Sequence, residues 1–216
     1  MSKYRILYID EVPSERRRFQ LYIHDNDSEQ NFEVIAPELA PELSVFLEII
    51  MTEHYDAIVT DHKLNEEDST IQYDGIELVE AILKQKFDFP CFILTSFDDE
   101  AVREGNDVNI VYIKGLMDSN EEQEGHKAKF IDKIENQIKH YRKKIEDAKT
   151  ELLELSKKEY LDAKDESRLI ELDTYIEKTT NAPSSLPLHL KSAHNLSELH
   201  KMIENTDKLL AELKGK

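Results

Sequence analysis

Residues Tyr55–Leu64 read YDAIVTDHKL. Ala57-Ile58-Val59-Thr60 has the composition of a strand buried on both faces, yet it stops on Asp61, with His62 and Lys63 behind it. An aspartate just past a buried strand either starts a turn or is a reactive carboxylate held at the rim of a sheet. The flanking segments bear on the choice. Four more short apolar runs, at 5–9, 32–35, 91–95 and 109–113, alternate with helical patterns at 13–24, 41–53, 75–86 and, briefly, 98–103. Such alternation predicts βαβ units and an α/β domain with a five-stranded, parallel, doubly wound (flavodoxin-like) sheet.

In an open parallel sheet ligands bind beyond the carboxyl ends of the strands. The residues expected there are Asp10 and Glu11, Asp61, Thr95 and Ser96, and Lys114. Three carboxylates converging on one spot repel one another unless a hard cation sits among them, and oxygen ligands with room for water suit Mg²⁺. A hydroxyl and an ammonium opposite would complete a phosphoryl-binding site.

The chain has 216 residues and a formal charge of -18. Residues 1–125 hold 10 Lys and Arg against 29 Asp and Glu, whereas 126–216 hold 18 against 17. The acidic first part favours a cationic ligand, and the near-neutral second part has no basic stripe, so nucleic-acid binding is not expected. A single cysteine, Cys91, rules out an internal disulfide framework and fits a reduced, cytoplasmic setting. Nowhere do 18 apolar residues run together, and the opening MSKYRILYID is too short an apolar segment for a leader, so no membrane association is expected.

Five segments, ILYIDEVPS (6–14), AIVTDHKL (57–64), YDGIELVEAIL (73–83), FILTSFDD (92–99) and VYIKG (111–115), agree in order and spacing with a known family. Residues 3–115 resemble the receiver domain of two-component response regulators. The resemblance implies that Asp61 accepts a phosphoryl group and that Asp10, Glu11, Asp61 and the main-chain carbonyl of Lys63 hold Mg²⁺. It implies that Thr95, with Ser96 beside it, turns toward the phosphoryl oxygens and that Lys114 neutralises them. It also implies a phosphorelay signalling role rather than a separate enzymatic activity, with a histidine kinase or phosphotransfer protein as donor. This sequence departs from the family at Gly115, where Pro is usual, and at Val111, where an aromatic is usual, with Tyr112 one position later. The segment HKLNEEDSTIQY (62–73) is enlarged and acidic, and the fourth helix is short.

The predicted boundary places the receiver-like domain at 1–125 and a helical coiled-coil or bundle region at 126–216. Ile131, Ile134, Ile138, Tyr141, Ile145, Ala148, Leu152 and Leu155 repeat at 3,4 spacing, and Leu169, Leu172 and Ile176 follow. Homodimerisation, docking of a downstream protein and an intramolecular hairpin all satisfy that seam. Leu196, Leu199, Ile203, Thr206, Leu210 and Leu213 continue it. LKSAHNLSEL (190–199) resembles the accepting segment of histidine phosphotransfer domains, which would make His194 a second phosphoacceptor, although Ser197-Glu198 replaces the family's Lys-Gly. The competing class of function is a phosphorylation-independent scaffold that keeps the fold as a docking platform.

Overall fold

The computed structural model describes residues 3–95, 111–114, 129–158, 160–181, 191, 201–203, 205–206 and 208. By compactness the chain forms two units, one of Met1–Leu83 with Phe89–Tyr141 and one of Lys84–Asp88 with Arg142–Lys216.

The first unit contains β1 (Tyr4–Ile9), α1 (Pro13–Asn26), β2 (Phe32–Ile35), α2 (Leu43–Met51), β3 (Ala57–Asp61), most of α3 (Gly75–Gln85), β4 (Cys91–Thr95) and β5 (Val111–Ile113). The start of α4 (Phe130–Ser156) belongs to it as well. All pairings are parallel, in the order β2-β1-β3-β4-β5, so the chain reverses its direction of winding between β1 and β3. That order is the doubly wound, flavodoxin-like one, whose ligand crevice lies at the β1/β3 reversal.

Every residue of β3 and β4 is buried, as central parallel strands covered on both faces must be. One face packs Leu7, Ile9, Ile58 and Ile93 against Phe46 and Ile50 of α2 and Leu78 and Ile82 of α3. The other packs Tyr8, Val59, Phe92 and Leu94 against Phe19 and Ile23 of α1 and Phe130, Ile131, Ile134 and Ile138 of α4. Phe92 and Phe130 meet edge-on, with centroids 5.8 Å apart. Cys91 lies within the first face, and burial pushes its thiol well above the usual range, so it serves as a small hydrophobe.

Local chemistry sets the helix ends. Pro13 occupies the first turn of α1, where its fixed φ is preorganised and its missing N–H costs nothing. Asp27 closes the far end, its carboxylate accepting the main-chain N–H groups of Asn31 at 2.9 Å and Phe32 at 2.8 Å. α3 opens with a reciprocal cap: Asp74 accepts from the Glu77 N–H at 2.8 Å, and Glu77 accepts from the Asp74 N–H at 3.1 Å.

In the second unit the later part of α4 pairs with α5 (Ala163–Asn181), burying Ala148, Leu152 and Leu155 against Leu169 and Leu172. Arg168 forks onto Glu151 with contacts of 2.7 and 2.8 Å. Lys191 reaches Asp173 at 2.6 Å and Glu177 at 2.8 Å, its side chain fully buried between them. The seam read from the sequence therefore changes partner along its length: Ile131, Ile134 and Ile138 face the sheet, and Ala148, Leu152 and Leu155 face α5. Ile203 and Thr206, expected on a buried seam, are exposed. No helix among the described residues is long and apolar enough to cross a membrane.

Candidate functional site

Strand register brings the predicted residues to one rim. Ile9 pairs with Thr60, so Asp10 and Asp61 each follow a matched pair at the ends of β1 and β3. Asp61 pairs with Leu94, and Thr95, next along β4, pairs with Ile113, the residue before Lys114. Asp10 is fully buried, Thr95 and Asp61 are nearly so, and all lie over the crevice where the strand order reverses.

Lys114 draws two of the carboxylates together. Its Nζ lies 2.8 Å from Asp61 Oδ1 and 3.1 Å from Asp10 Oδ2. Burial disfavours the ammonium, but Asp61 and Asp10 outweigh it and raise the Lys114 pKa above the ordinary lysine value. For Asp61 burial dominates, and even with Lys114 in contact its pKa stands above the usual aspartate value. A buried carboxylate whose charge is incompletely compensated is poised to gain from an additional cation.

Asp10 is held by three donors: the Tyr8 hydroxyl at 2.9 Å, the Val12 N–H at 2.9 Å and Lys114. Tyr8 and Asp10 lie two residues apart and so share a face of the strand direction, and the Tyr8 ring stacks on Phe19 with centroids 4.1 Å apart. Glu11 differs. Its Oε2 is buried with no hydrogen-bond partner, and burial, reinforced by Asp10 and Asp61, raises its pKa. The Lys63 side chain turns its charge to Glu66 at 3.3 Å.

Among the described residues no three His, Cys, Asp or Glu side chains already stand grouped around a cation position, and Lys114 bridges Asp10 and Asp61. The donor set still fits Mg²⁺ in kind. It offers hard carboxylate oxygens, one of them, Glu11 Oε2, buried and without a partner. Ser96 and His194 lie outside the described residues, as do Gly115 and the short helix expected at 98–103.

Gly75 is a site determinant that side-chain chemistry does not reveal. Its N–H donates to the His62 carbonyl at 2.9 Å, and a Cβ added to it would overlap the main-chain oxygen of Asp61. The first residue of α3 therefore presses against the backbone that carries the candidate nucleophile. Gly75→Ala is expected to destabilise the fold by about 1–3 kcal/mol, the usual cost of overpacking, and to weaken any chemistry at Asp61. Urea denaturation of the variant beside the parent measures the first effect, and an unchanged midpoint would show that the contact relaxes freely.

No family model and no curated protein matches the chain. Among solved structures it is similar to the chemotaxis response regulator CheY4 of Vibrio cholerae, at 20% identity and a TM-score of 0.37, over 48% of this chain and 77% of that one. It is also similar to the Salmonella typhimurium RcsB response regulator, at 13% identity and a TM-score of 0.42, over 94% of this chain and 90% of that one. Likeness at this level carries no function. The strand order and the contacts at the rim carry the case.

Proposed function

We propose that this protein is a response regulator that takes a phosphoryl group on Asp61 in a Mg²⁺-dependent reaction and signals through its helical C-terminal region. The observation that carries the reading is the Lys114 bridge, which joins the ends of β1, β3 and β5 at the crevice of a doubly wound sheet. Lys114 grips Asp61 Oδ1, leaving Oδ2 as the attacking oxygen. That oxygen forms the bond to phosphorus while the donor's leaving group departs with the electrons of the broken bond, giving an acyl phosphate. Held by Asp10, Glu11, Asp61 and the Lys63 carbonyl, Mg²⁺ would spread the charge on the equatorial oxygens. Lys114 then shifts its contact to a phosphoryl oxygen, and Thr95, at the end of β4, supplies a hydroxyl. The remaining task is positioning, which the buried strands provide.

The donor would be a histidine kinase or a phosphotransfer protein. Output would pass through α4, which contributes Ile131, Ile134 and Ile138 to one core and Ala148, Leu152 and Leu155 to another. A phosphoryl group can act only by favouring one arrangement of such an element over another. The scaffold reading has one observation in its favour: Lys114 itself neutralises part of the charge of Asp10 and Asp61.

Incubation with acetyl phosphate and Mg²⁺ should add one phosphoryl group, seen by intact mass, and chelation should prevent it. Glu11→Gln, which removes a charge from an isosteric ligand, should weaken Mg²⁺ binding by about 10-fold or more. No uptake by the parent at saturating Mg²⁺ would favour the scaffold.

A further inference from the structure

Tyr8 carries a polar atom into the apolar core. It is completely buried in β1, pairs with Val59 of β3 and belongs to the face that holds Phe92 and Leu94. Its ring lies nearly parallel to that of Phe19, at an interplanar angle of 4°. Phenylalanine would fill the same space with no hydroxyl to satisfy, and a buried hydroxyl costs stability unless it is hydrogen-bonded. Among the described residues the hydroxyl has one partner, Asp10 Oδ2 at 2.9 Å. Burial, reinforced by the charge of Asp10, pushes the phenol far above its usual pKa, so it stays protonated and donates.

The backbone beneath the carboxylate is fixed independently. Arg16 Nη1 donates to the Asp10 carbonyl at 2.7 Å and the Glu11 carbonyl at 3.2 Å, which leaves rotation of the Asp10 side chain as the freedom still to be removed. A carboxylate has about four acceptor sites, two on each oxygen. On Asp10, Oδ2 is filled by Tyr8 and by Lys114 at 3.1 Å, while Oδ1 takes the Val12 N–H at 2.9 Å and keeps a site open. The two donors on Oδ2 differ in kind. Lys114 also reaches Asp61 at 2.8 Å and moves to a phosphoryl oxygen in the proposed reaction, whereas Tyr8 is stacked in the core and stays.

We propose that Tyr8 is a positioning residue that sets cation choice: its hydroxyl holds Asp10 Oδ2, so that only Oδ1 is open to a divalent cation and the site prefers Mg²⁺ to Ca²⁺. The proposal rests on the reading of Asp10, Glu11 and Asp61 as a cation site. Ca²⁺ accepts a carboxylate through one oxygen or both, whereas Mg²⁺ demands near-ideal octahedral geometry, which the narrow bite of a two-oxygen carboxylate distorts. A carboxylate held to one open oxygen therefore suits the smaller ion, and groups that orient metal ligands typically account for about 10–100-fold in affinity.

The test is calorimetric titration of the full chain with Mg²⁺ and, separately, with Ca²⁺. Tyr8→Phe removes the hydroxyl and keeps the ring on Phe19. The variant should bind Mg²⁺ about 10-fold or more weakly than the parent while its Ca²⁺ affinity holds or rises, so the preference for Mg²⁺ falls by at least that factor. An unchanged ratio of the two affinities would overturn the role of Tyr8 and leave the cation site standing. A parent that binds neither ion overturns the cation site and this proposal with it. NMR of the parent carrying isotopically labelled tyrosine gives a second readout, independent of how the variant folds. The Tyr8 ring carbon that bears the hydroxyl should shift when Mg²⁺ is added, because the ion draws charge from the acceptor of its hydrogen bond. A Tyr8 signal that stays in place at saturating Mg²⁺ would overturn the proposal by itself.

Discussion

Asp61→Asn is expected to abolish phosphoryl uptake from acetyl phosphate while leaving the protein folded. The neutral amide keeps the size of the carboxylate but is a far poorer nucleophile, and among the described residues no other carboxylate is placed equivalently: Asp10 is fully buried and held by Tyr8, Val12 and Lys114. Stability should hold or rise. Burial raises the folded-state pKa of Asp61, so its ionised form costs stability above that pKa, and the cost disappears below the unfolded value. Asparagine has no such cost at any pH, although Lys114 then keeps only Asp10 as partner. Intact mass after treatment with acetyl phosphate and Mg²⁺, beside a thermal melt, reads both effects. Labelling that persists in a folded Asp61→Asn protein would remove Asp61 as the acceptor.

Lys114→Ala should have the largest effect on stability. It leaves two buried carboxylates facing each other without their shared cation, and breaking a buried pair by removing one partner typically costs about 3–5 kcal/mol. The pH dependence has a definite sign. In the parent the folded pKa of Lys114 is raised, so its contribution is fully present below the ordinary lysine pKa and is lost as pH rises through the higher folded value. In the variant the Asp61 carboxyl, raised by burial, loses the ammonium that opposed that rise, so the deficit should be widest near neutrality and shrink in acid as Asp61 takes up a proton. Urea denaturation at neutral and acidic pH measures this. Adding Asp61→Asn to Lys114→Ala should restore part of the loss, with a coupling of about 0.5–3 kcal/mol. Additive losses would mean that the two side chains act independently despite their 2.8 Å contact.

Much of this architecture was legible along the chain, because central parallel strands carry unbroken apolar runs and the rim residues follow directly on them. β2 and β4 fall at the expected residues, 32–35 and 91–95. α2 is shorter than its pattern, Leu43–Met51 rather than 41–53, and the causes are particular contacts. The Pro41 carbonyl, which a longer helix would use, accepts the Gln72 N–H from a loop thirty-one positions on, and the Thr52 hydroxyl closes the other end on the Ile49 carbonyl. No local signal encodes the first of these. The same holds at the site. Asp10, Asp61 and Lys114 announce themselves by residue type, whereas Gly75 acts through backbone atoms and Arg16 acts upon the main-chain carbonyls of Asp10 and Glu11. Tyr8 could have been found, since it stands two places before Asp10 on the same strand face. The 3,4 seam of α4 showed an apolar stripe but not its change of partner, because Ile138 and Ala148 satisfy the same periodicity against different surfaces.

That change of partner bears on how this molecule could have been assembled and how it can be cut. A chain ended at the acidic stretch before Phe130 would not liberate a self-sufficient module. It would remove Phe130, Ile131, Ile134 and Ile138, which share one side of the sheet with Phe19 and Ile23 of α1, and leave Tyr8, Val59, Phe92 and Leu94 with part of their wall missing. The smallest piece with a closed core ends inside α4, near Tyr141, where the first compact unit itself ends. Recombination that swapped only the sequence after that point would inherit an intact sheet, whereas an exchange at the more obvious polar stretch would have to bring its own covering helix.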